Sequence, residues 1–223
     1  MIASPNDPPA GVAPFRASGF ETAEALDVLT VALDRVLARR AATDAAYLHG
    51  PLPLLIDGVC QVCARRTRFR GEAPDGEVFG LESWSDHLYC VGCGLNGQAR
   101  ALLHFLRAEV AGGDRASLAV TDESGALESW IARCRPGRTP AARTTFADVV
   151  LGVGATWETL QAAVAALRPG GKILCSVHGR PALWALKAGM DEAGLIDWRA
   201  HLYWSEEFGY FGADNFLVTA VFR

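Results

Sequence analysis

Apolar positions near the amino end recur at helical spacing. Leu26, Leu29, Leu33, Val36 and Leu37 make one stripe, the pattern of an amphipathic helix with a single buried face. Ser18, with Glu21 three residues later, fits a capping box. A helix is therefore predicted from 18 to about Tyr47, closed by His49-Gly50-Pro51 and Pro53. The repeat is too short for a coiled coil, so the stripe is expected to pack on the body of the protein. Residues 1–17, rich in Pro, Ala and Ser, predict a flexible start. Further on, Leu102, Leu103, Phe105 and Leu106 mark a second helix over about 95–110, and Ala111-Gly112-Gly113-Asp114 reads as a turn and a domain boundary.

From Ser117 the pattern changes to strands alternating with helices. Short apolar runs at 117–121, 147–153 and 172–177 read as buried strands, with helices over about 125–133, 157–167 and 181–193 between and after them. Asp122-Glu123-Ser124-Gly125 and Pro169-Gly170-Gly171 read as turns, and 134–145 as plain loop. Two more strands, about 197–204 and 215–222, close the chain. Such alternation predicts an α/β fold, a parallel sheet covered by helices with an antiparallel pair at its end. The expected division is a flexible 1–17, a helix over 18–50, a metal-binding module with its following helix over 51–113, and an α/β domain over 114–223.

Composition narrows the function classes only slightly. Among 223 residues, 21 Lys and Arg stand against 25 Asp and Glu, a formal net charge of -4. That disfavours nucleic acid as the main partner. The run Arg65-Arg66-Thr67-Arg68-Phe69-Arg70 keeps a local version of that idea open. Its plainer reading is a solvated strand followed by the acidic Glu72, Asp75 and Glu77. No apolar stretch approaches the roughly 18–20 residues of a membrane span, and the first residues do not resemble a secretory signal.

The cysteines carry the sharpest chemistry. Cys60-x-x-Cys63 and Cys90-x-x-Cys93 can turn four sulfurs towards one point, the tetrahedral donor set of a structural zinc ion. Two disulfides or a redox pair are the weaker alternatives, because no secretory signal is expected and two equivalent pairs are present. With four protein ligands such a metal keeps no open position, so its role would be structural. This usage suits a reducing compartment, with the cytoplasm as the default. Cys134 and Cys175 stand apart, and Cys175 is expected to be an inert core thiol.

Several short motifs gain meaning from their order. Leu167-Arg168-Pro169-Gly170-Gly171-Lys172-Ile173-Leu174 resembles the entry to the fifth strand of class I S-adenosylmethionine-dependent methyltransferases, and Phe146-Ala147-Asp148-Val149-Val150-Leu151 looks like their fourth. Tyr203-Trp204-Ser205, Gly209-Tyr210-Phe211-Gly212 and Asn215-Phe216-Leu217-Val218 are similar to the last two strands of a bacterial subgroup. That subgroup also carries a Cys-pair module running into a helix start like Cys93-Gly94-Leu95-Asn96 to Arg100. The resemblance implies a Rossmann-like sheet. Two departures matter: the first-strand turn Asp122–Gly125 holds a single glycine, and the 12 residues between Arg133 and Phe146 cannot contain the family's strands 2 and 3. A shortened sheet of about five strands, order 1-4-5-7-6, is the expectation. Its strand 1 becomes an edge to be covered by the N-terminal helix, the zinc module or another chain.

In open parallel sheets ligands sit beyond the carboxyl ends of the strands. That rule selects Asp122, Glu123 and Gly125 after the first strand and Gly152 and Gly154 after the second as cofactor-binding candidates. It also selects His178 after the third as an acid–base candidate. Asp122 could instead cap the helix that follows, the glycines could serve only a tight turn, and His178 could be a structural hydrogen-bonded residue. Tyr210 is a second catalytic candidate, within the aromatic group of Tyr203, Trp204 and Phe211 that core packing would also explain.

The resemblance implies methyl transfer from S-adenosylmethionine to a small metabolite in a biosynthetic pathway. The departures keep open a repurposed or inactive fold that catalyses another reaction or serves as a partner subunit or homo-oligomer through its strand edge. The arginine run keeps open a zinc-module adaptor for nucleic acid or protein.

Overall fold

The computed structural model describes residues 16–39, 42, 54–71, 87–110, 116–134, 146–204 and 215–223. Two sheets organise the described chain. A six-stranded sheet has the order β1 (Arg16–Phe20), β8 (Ile196–Trp204), β9 (Asn215–Val221), β7 (Leu167–His178), β6 (Ala147–Gly152), β5 (Leu118–Thr121). A three-stranded ribbon holds β2 (Leu54–Cys60), β3 (Arg65–Gly71) and β4 (Leu88–Cys90). The helices are α1 (Ala23–Ala32), α2 (Gly97–Glu109), α3 (Ala126–Cys134), α4 (Trp157–Val164) and α5 (Arg180–Glu192).

β5, β6 and β7 run parallel, while β9 pairs antiparallel with both β7 and β8. In the family's numbering β5-β6-β7-β9-β8 is the order 1-4-5-7-6, and β5 is one edge of the sheet.

Alternate strand residues feed the two faces, as a pleat requires. Leu118, Val149, Leu151, Leu174 and Leu217 point to one side, where they pack with α2, α3 and the ribbon. Ala119, Val150, Ile173, Cys175, Phe216 and Val218 point to the other, where α4, α5 and Leu26 of α1 cover them. Helices on both faces make this a doubly wound, Rossmann-like α/β sheet. The ribbon and α2 share one core with the sheet: Phe69, Leu88, Leu102, Phe105 and Leu106 are buried in the same cluster as Leu151 and Leu174. β5 thus stays an edge, but one face of it is covered by these elements.

The amino end differs from the sequence expectation. Arg16 and Ala17 are not part of a flexible start, and the helix does not open at Ser18. Residues 16–20 form β1, paired antiparallel with β8 from Arg16↔Trp204 to Phe20↔Ala200, which adds a sixth strand at the edge opposite β5. Ser18 lies inside this ladder, five residues before α1 begins, so it is not at the helix start and does not cap. Thr22 caps instead, its Oγ1 accepting from the Ala25 N–H at 3.2 Å. α1 ends at Ala32, Leu33 forms a turn, and residues 34–39 are a second helical segment, so the predicted single helix is broken; its expected end near Tyr47 lies outside the described residues.

β7 also begins earlier than expected. Pro169-Gly170-Gly171 stays in the sheet, with Gly170 N–H donating to the Phe222 carbonyl (2.8 Å) and Phe222 N–H to that of Gly171 (2.9 Å). Gly170 has φ +79°, a conformation open to glycine, so the turn residues kink the strand without ending it.

Candidate functional site

The ribbon brings two knuckles together. Cys60 ends β2 and Cys63 lies in the turn to β3; Cys90 ends β4 and Cys93 lies in the turn to α2. Their four Sγ atoms all lie within 4.8 Å of one another, with Cys60–Cys93 at 3.9 Å and Cys63–Cys90 at 3.8 Å. A tetrahedron with metal–sulfur bonds of about 2.3 Å has edges of about 3.8 Å, so the donor set fits zinc.

Backbone groups support the sulfurs. Cys63 N–H points at Cys60 Sγ (3.4 Å) and Gly92 N–H at Cys90 Sγ (3.3 Å), while Gly94 N–H donates to the Cys90 carbonyl at 2.8 Å. Ala64 (φ +52°) and Gly94 (φ +76°) take the left-handed conformation that closes each knuckle.

Four crowded thiols resist ionising together. Burial, then the Cys60 and Cys90 sulfurs, pushes Cys63 up to about 12. Hydrogen bonds with Cys60 and Cys90 push Cys93 upward, and those from Cys60 and Cys93 hold Cys90 far below the ordinary thiol range. A divalent cation at the centre reverses this penalty by offsetting the thiolate charge. Among the described residues this is the only group of three or more His, Cys, Asp or Glu side chains arranged to hold a metal. Cys175 is fully buried in β7, where burial alone raises its thiol. Cys134 is exposed at the end of α3.

Arg100 joins the ribbon to α2. Only 5% exposed, it donates from Nη2 to the Leu88 carbonyl (2.9 Å) and from Nε to the Asn96 carbonyl (3.1 Å), and its guanidinium lies 4.3 Å from the Phe69 ring centre. Asn96 caps α2, its Oδ1 accepting from Ala99 N–H at 2.9 Å. The metal knuckle, the helix start and the ribbon core are therefore one connected unit.

At the sheet, Thr121, Gly152 and Cys175 are register partners. The segments that follow them therefore share one carboxyl edge, and the predicted residues divide along it. Asp122 is a helix cap: its Oδ2 accepts from Leu127 N–H (2.7 Å) and its Oδ1 from Ser124 N–H (3.1 Å) and Ser124 Oγ (2.7 Å). Glu123 is exposed in the same turn, and Gly125 has φ +63°. Gly152 is buried, and a Cβ there would lie 2.8 Å from Leu160 Cδ2, so it serves the close packing of α4 on the sheet. Gly154 has φ +59° and is exposed. His178, half-buried, ends β7 opposite Asn215 of β9. Tyr210 lies outside the described residues, as does Phe211.

Two residues at this edge were not singled out by the sequence. Ser176 Oγ donates to Gln98 Oε1 (2.6 Å) and accepts from Gly154 N–H (2.9 Å), while the Ser176 carbonyl accepts from Ala155 N–H at 2.8 Å. Ser176 is 1% exposed and Gln98 3%. The first turn of α2 is thus tied to the ends of β6 and β7 by a buried polar link. The only sequence signals were a hydroxyl inside an otherwise apolar strand and a glutamine at a helix start.

No family model and no curated protein matches the sequence. Solved structures similar to this chain at a distance include the following two. One is the T. thermophilus 16S rRNA N2 G1207 methyltransferase RsmC in complex with AdoMet and guanosine, 11% identical with a TM-score of 0.40, covering 78% of this chain and 52% of that one. The other is TrmN from Thermus thermophilus, 19% identical with a TM-score of 0.30, covering 48% and 36%. This chain spans about half the length of the first. Likenesses this weak carry no function across, and the class follows from the chain's own strand order. It is a Rossmann-like mixed α/β protein with a shortened, methyltransferase-type sheet and a four-cysteine ribbon. Among the described residues no helix is long and apolar enough to cross a membrane.

Proposed function

We propose that this chain is a methyltransferase-like protein that holds a structural zinc ion in its ribbon and acts on a small molecule at the carboxyl edge of β5, β6 and β7. The observation that carries this reading is the strand order, with antiparallel β9 inserted between β7 and β8, which leaves that edge as the place where ligands sit in such sheets. On this reading Gly154, the Asp122–Gly125 turn and His178 border the ligand, with His178 the group placed to take or give a proton. The zinc-bearing ribbon and α2 take part of the place of the missing strands, through the Gln98–Ser176 link.

The fit to S-adenosylmethionine itself is poor. Asp122 has both carboxylate oxygens engaged in the cap, the first turn holds one glycine, and β5 is the last strand on its side. No step is therefore routed through that cofactor. These same observations favour a second reading, a repurposed fold that binds a different small molecule or serves as a partner subunit.

Calorimetric titration with S-adenosylmethionine and its demethylated product separates the two. Heat that disappears in Gly154→Val supports methyl transfer at this edge. Absence of both heat and thermal stabilisation at about millimolar ligand overturns it, since ligand at a hundredfold excess over Kd stabilises by about 2.7 kcal/mol.

A further inference from the structure

The outer face of the ribbon carries a chemistry that the carboxyl edge does not use. Across an antiparallel pair, residues directly opposite share a face. Ile56↔Phe69 and Phe69↔Cys90 turn inward to the core. The opposite face therefore carries Arg66, Arg68 and Arg70, with Asp57 across from Arg68, and Leu55 and Tyr89 on either side of Arg70. Arg66, Arg68 and Arg70 are all exposed, and Leu55 is 51% exposed. The core beneath keeps the strand rigid, since Phe69 is fully buried against Arg100.

Residues two apart on a strand are about 6.6–6.8 Å apart. Three arginine side chains thus leave one face of the strand at backbone intervals close to the distance between successive phosphates of an extended nucleic-acid strand. Each guanidinium is a planar fork that binds phosphate through two hydrogen bonds and stacks on bases. In a chain of net charge -4, a row of this kind is a local positive feature. Leu55 and Val91, the two exposed aliphatic side chains of this face, are too little apolar surface for insertion into a membrane, and a linear row of cations suits a linear polyanion with regular charges.

We propose that this face of the zinc ribbon is a docking surface for a single nucleic-acid strand, held mainly through its phosphates by Arg66 and Arg68. The inference is independent of the ligand assigned to the carboxyl edge.

The test uses the full zinc-loaded chain and fluorescein-labelled 12-mers of uridine and thymidine, read by anisotropy across a salt series. The expected result is saturable binding at about 50 mM salt that weakens linearly on a log–log plot. Arg66→Ala/Arg68→Ala should weaken it at least tenfold and reduce the slope by about 1.4, the share of two single-strand phosphate contacts. Arg66→Lys/Arg68→Lys should restore most of the slope, while zinc content and circular dichroism stay at wild-type values in both variants. No binding at about 100 µM protein, or a double-alanine variant that binds as wild type does, overturns the proposal. Equal or tighter binding of poly-glutamate or of phosphatidylserine vesicles overturns the choice of nucleic acid. Preference between the two 12-mers decides RNA against DNA. No cofactor is present, so failure here leaves the reading of the carboxyl edge untouched.

Discussion

Replacing Ser176 by Ala probes the link that ties the ribbon helix to the ligand edge. The change removes the hydroxyl that donates to Gln98 Oε1 at 2.6 Å and accepts from Gly154 N–H at 2.9 Å, at a position 1% exposed. Leaving a buried polar group without its partner costs about 1–3 kcal/mol. A loss of about 2 kcal/mol is expected, equivalent to a fall in Tm of about 4–8 °C for a chain of this size. Gln98→Leu should cost a similar amount by orphaning the hydroxyl. The double variant, with both partners apolar, should cost clearly less than the sum, with a coupling of about 1–2 kcal/mol. Urea unfolding followed by tryptophan fluorescence, at fixed zinc, measures all four corners of the cycle. Single effects that add to within about 0.5 kcal/mol would show that the two side chains do not act as one link.

Other expectations follow from packing and charge. Gly189 lies against Trp157, where an added Cβ would collide with the indole ring, so Gly189→Ala should destabilise by about 1–3 kcal/mol in the same assay. Asp122→Ala should cost about 1 kcal/mol through loss of the α3 cap, and a much larger effect on ligand binding than on stability would show a ligand role as well. His201 is held down to about 4 from 6.5, first by burial and then by Arg199, and His104 likewise by burial and Arg107. Both stay neutral in the folded chain while the unfolded chain protonates, so stability is full above about pH 6.5 and falls as pH drops towards 4. His201→Phe, which keeps an aromatic ring against Phe105, should flatten that fall relative to wild type in urea midpoints taken across this range.

Much of the sheet was legible because its signals are local. The runs at 117–121, 147–153 and 172–177 are apolar and bounded by turn residues, and the two C-x-x-C pairs have a spacing that only a shared centre explains. β1 was not legible. Its five residues, Arg16–Phe20, have no alternating pattern, and their partner strand lies about 180 residues away at Ala200–Trp204. Ser18 and Glu21 imitate a cap that the ladder overrides. The role of Asp122 was visible only as a choice, since an aspartate after a strand is equally a cap and a ligand until its hydrogen bonds are known. Gln98 and Ser176 were missed because nothing in either local pattern announces a partner 78 positions away. The arginine run was read as one solvated strand; the pairing of Ile56 with Phe69 shows that three of its four arginines, Arg66, Arg68 and Arg70, share a single face.

The zinc ion is the claim on which the rest of the architecture leans, because the ribbon helix covers one face of the sheet and supplies Gln98 to its edge. Elemental analysis of the protein, purified without added metal, tests it directly. One zinc per chain is predicted, falling to near zero in Cys63→Ser/Cys90→Ser, with a large drop in Tm when a chelator removes it from the wild type. A wild-type chain that carries no zinc, binds none when it is supplied, and unfolds at the same temperature with and without chelator would contradict the account.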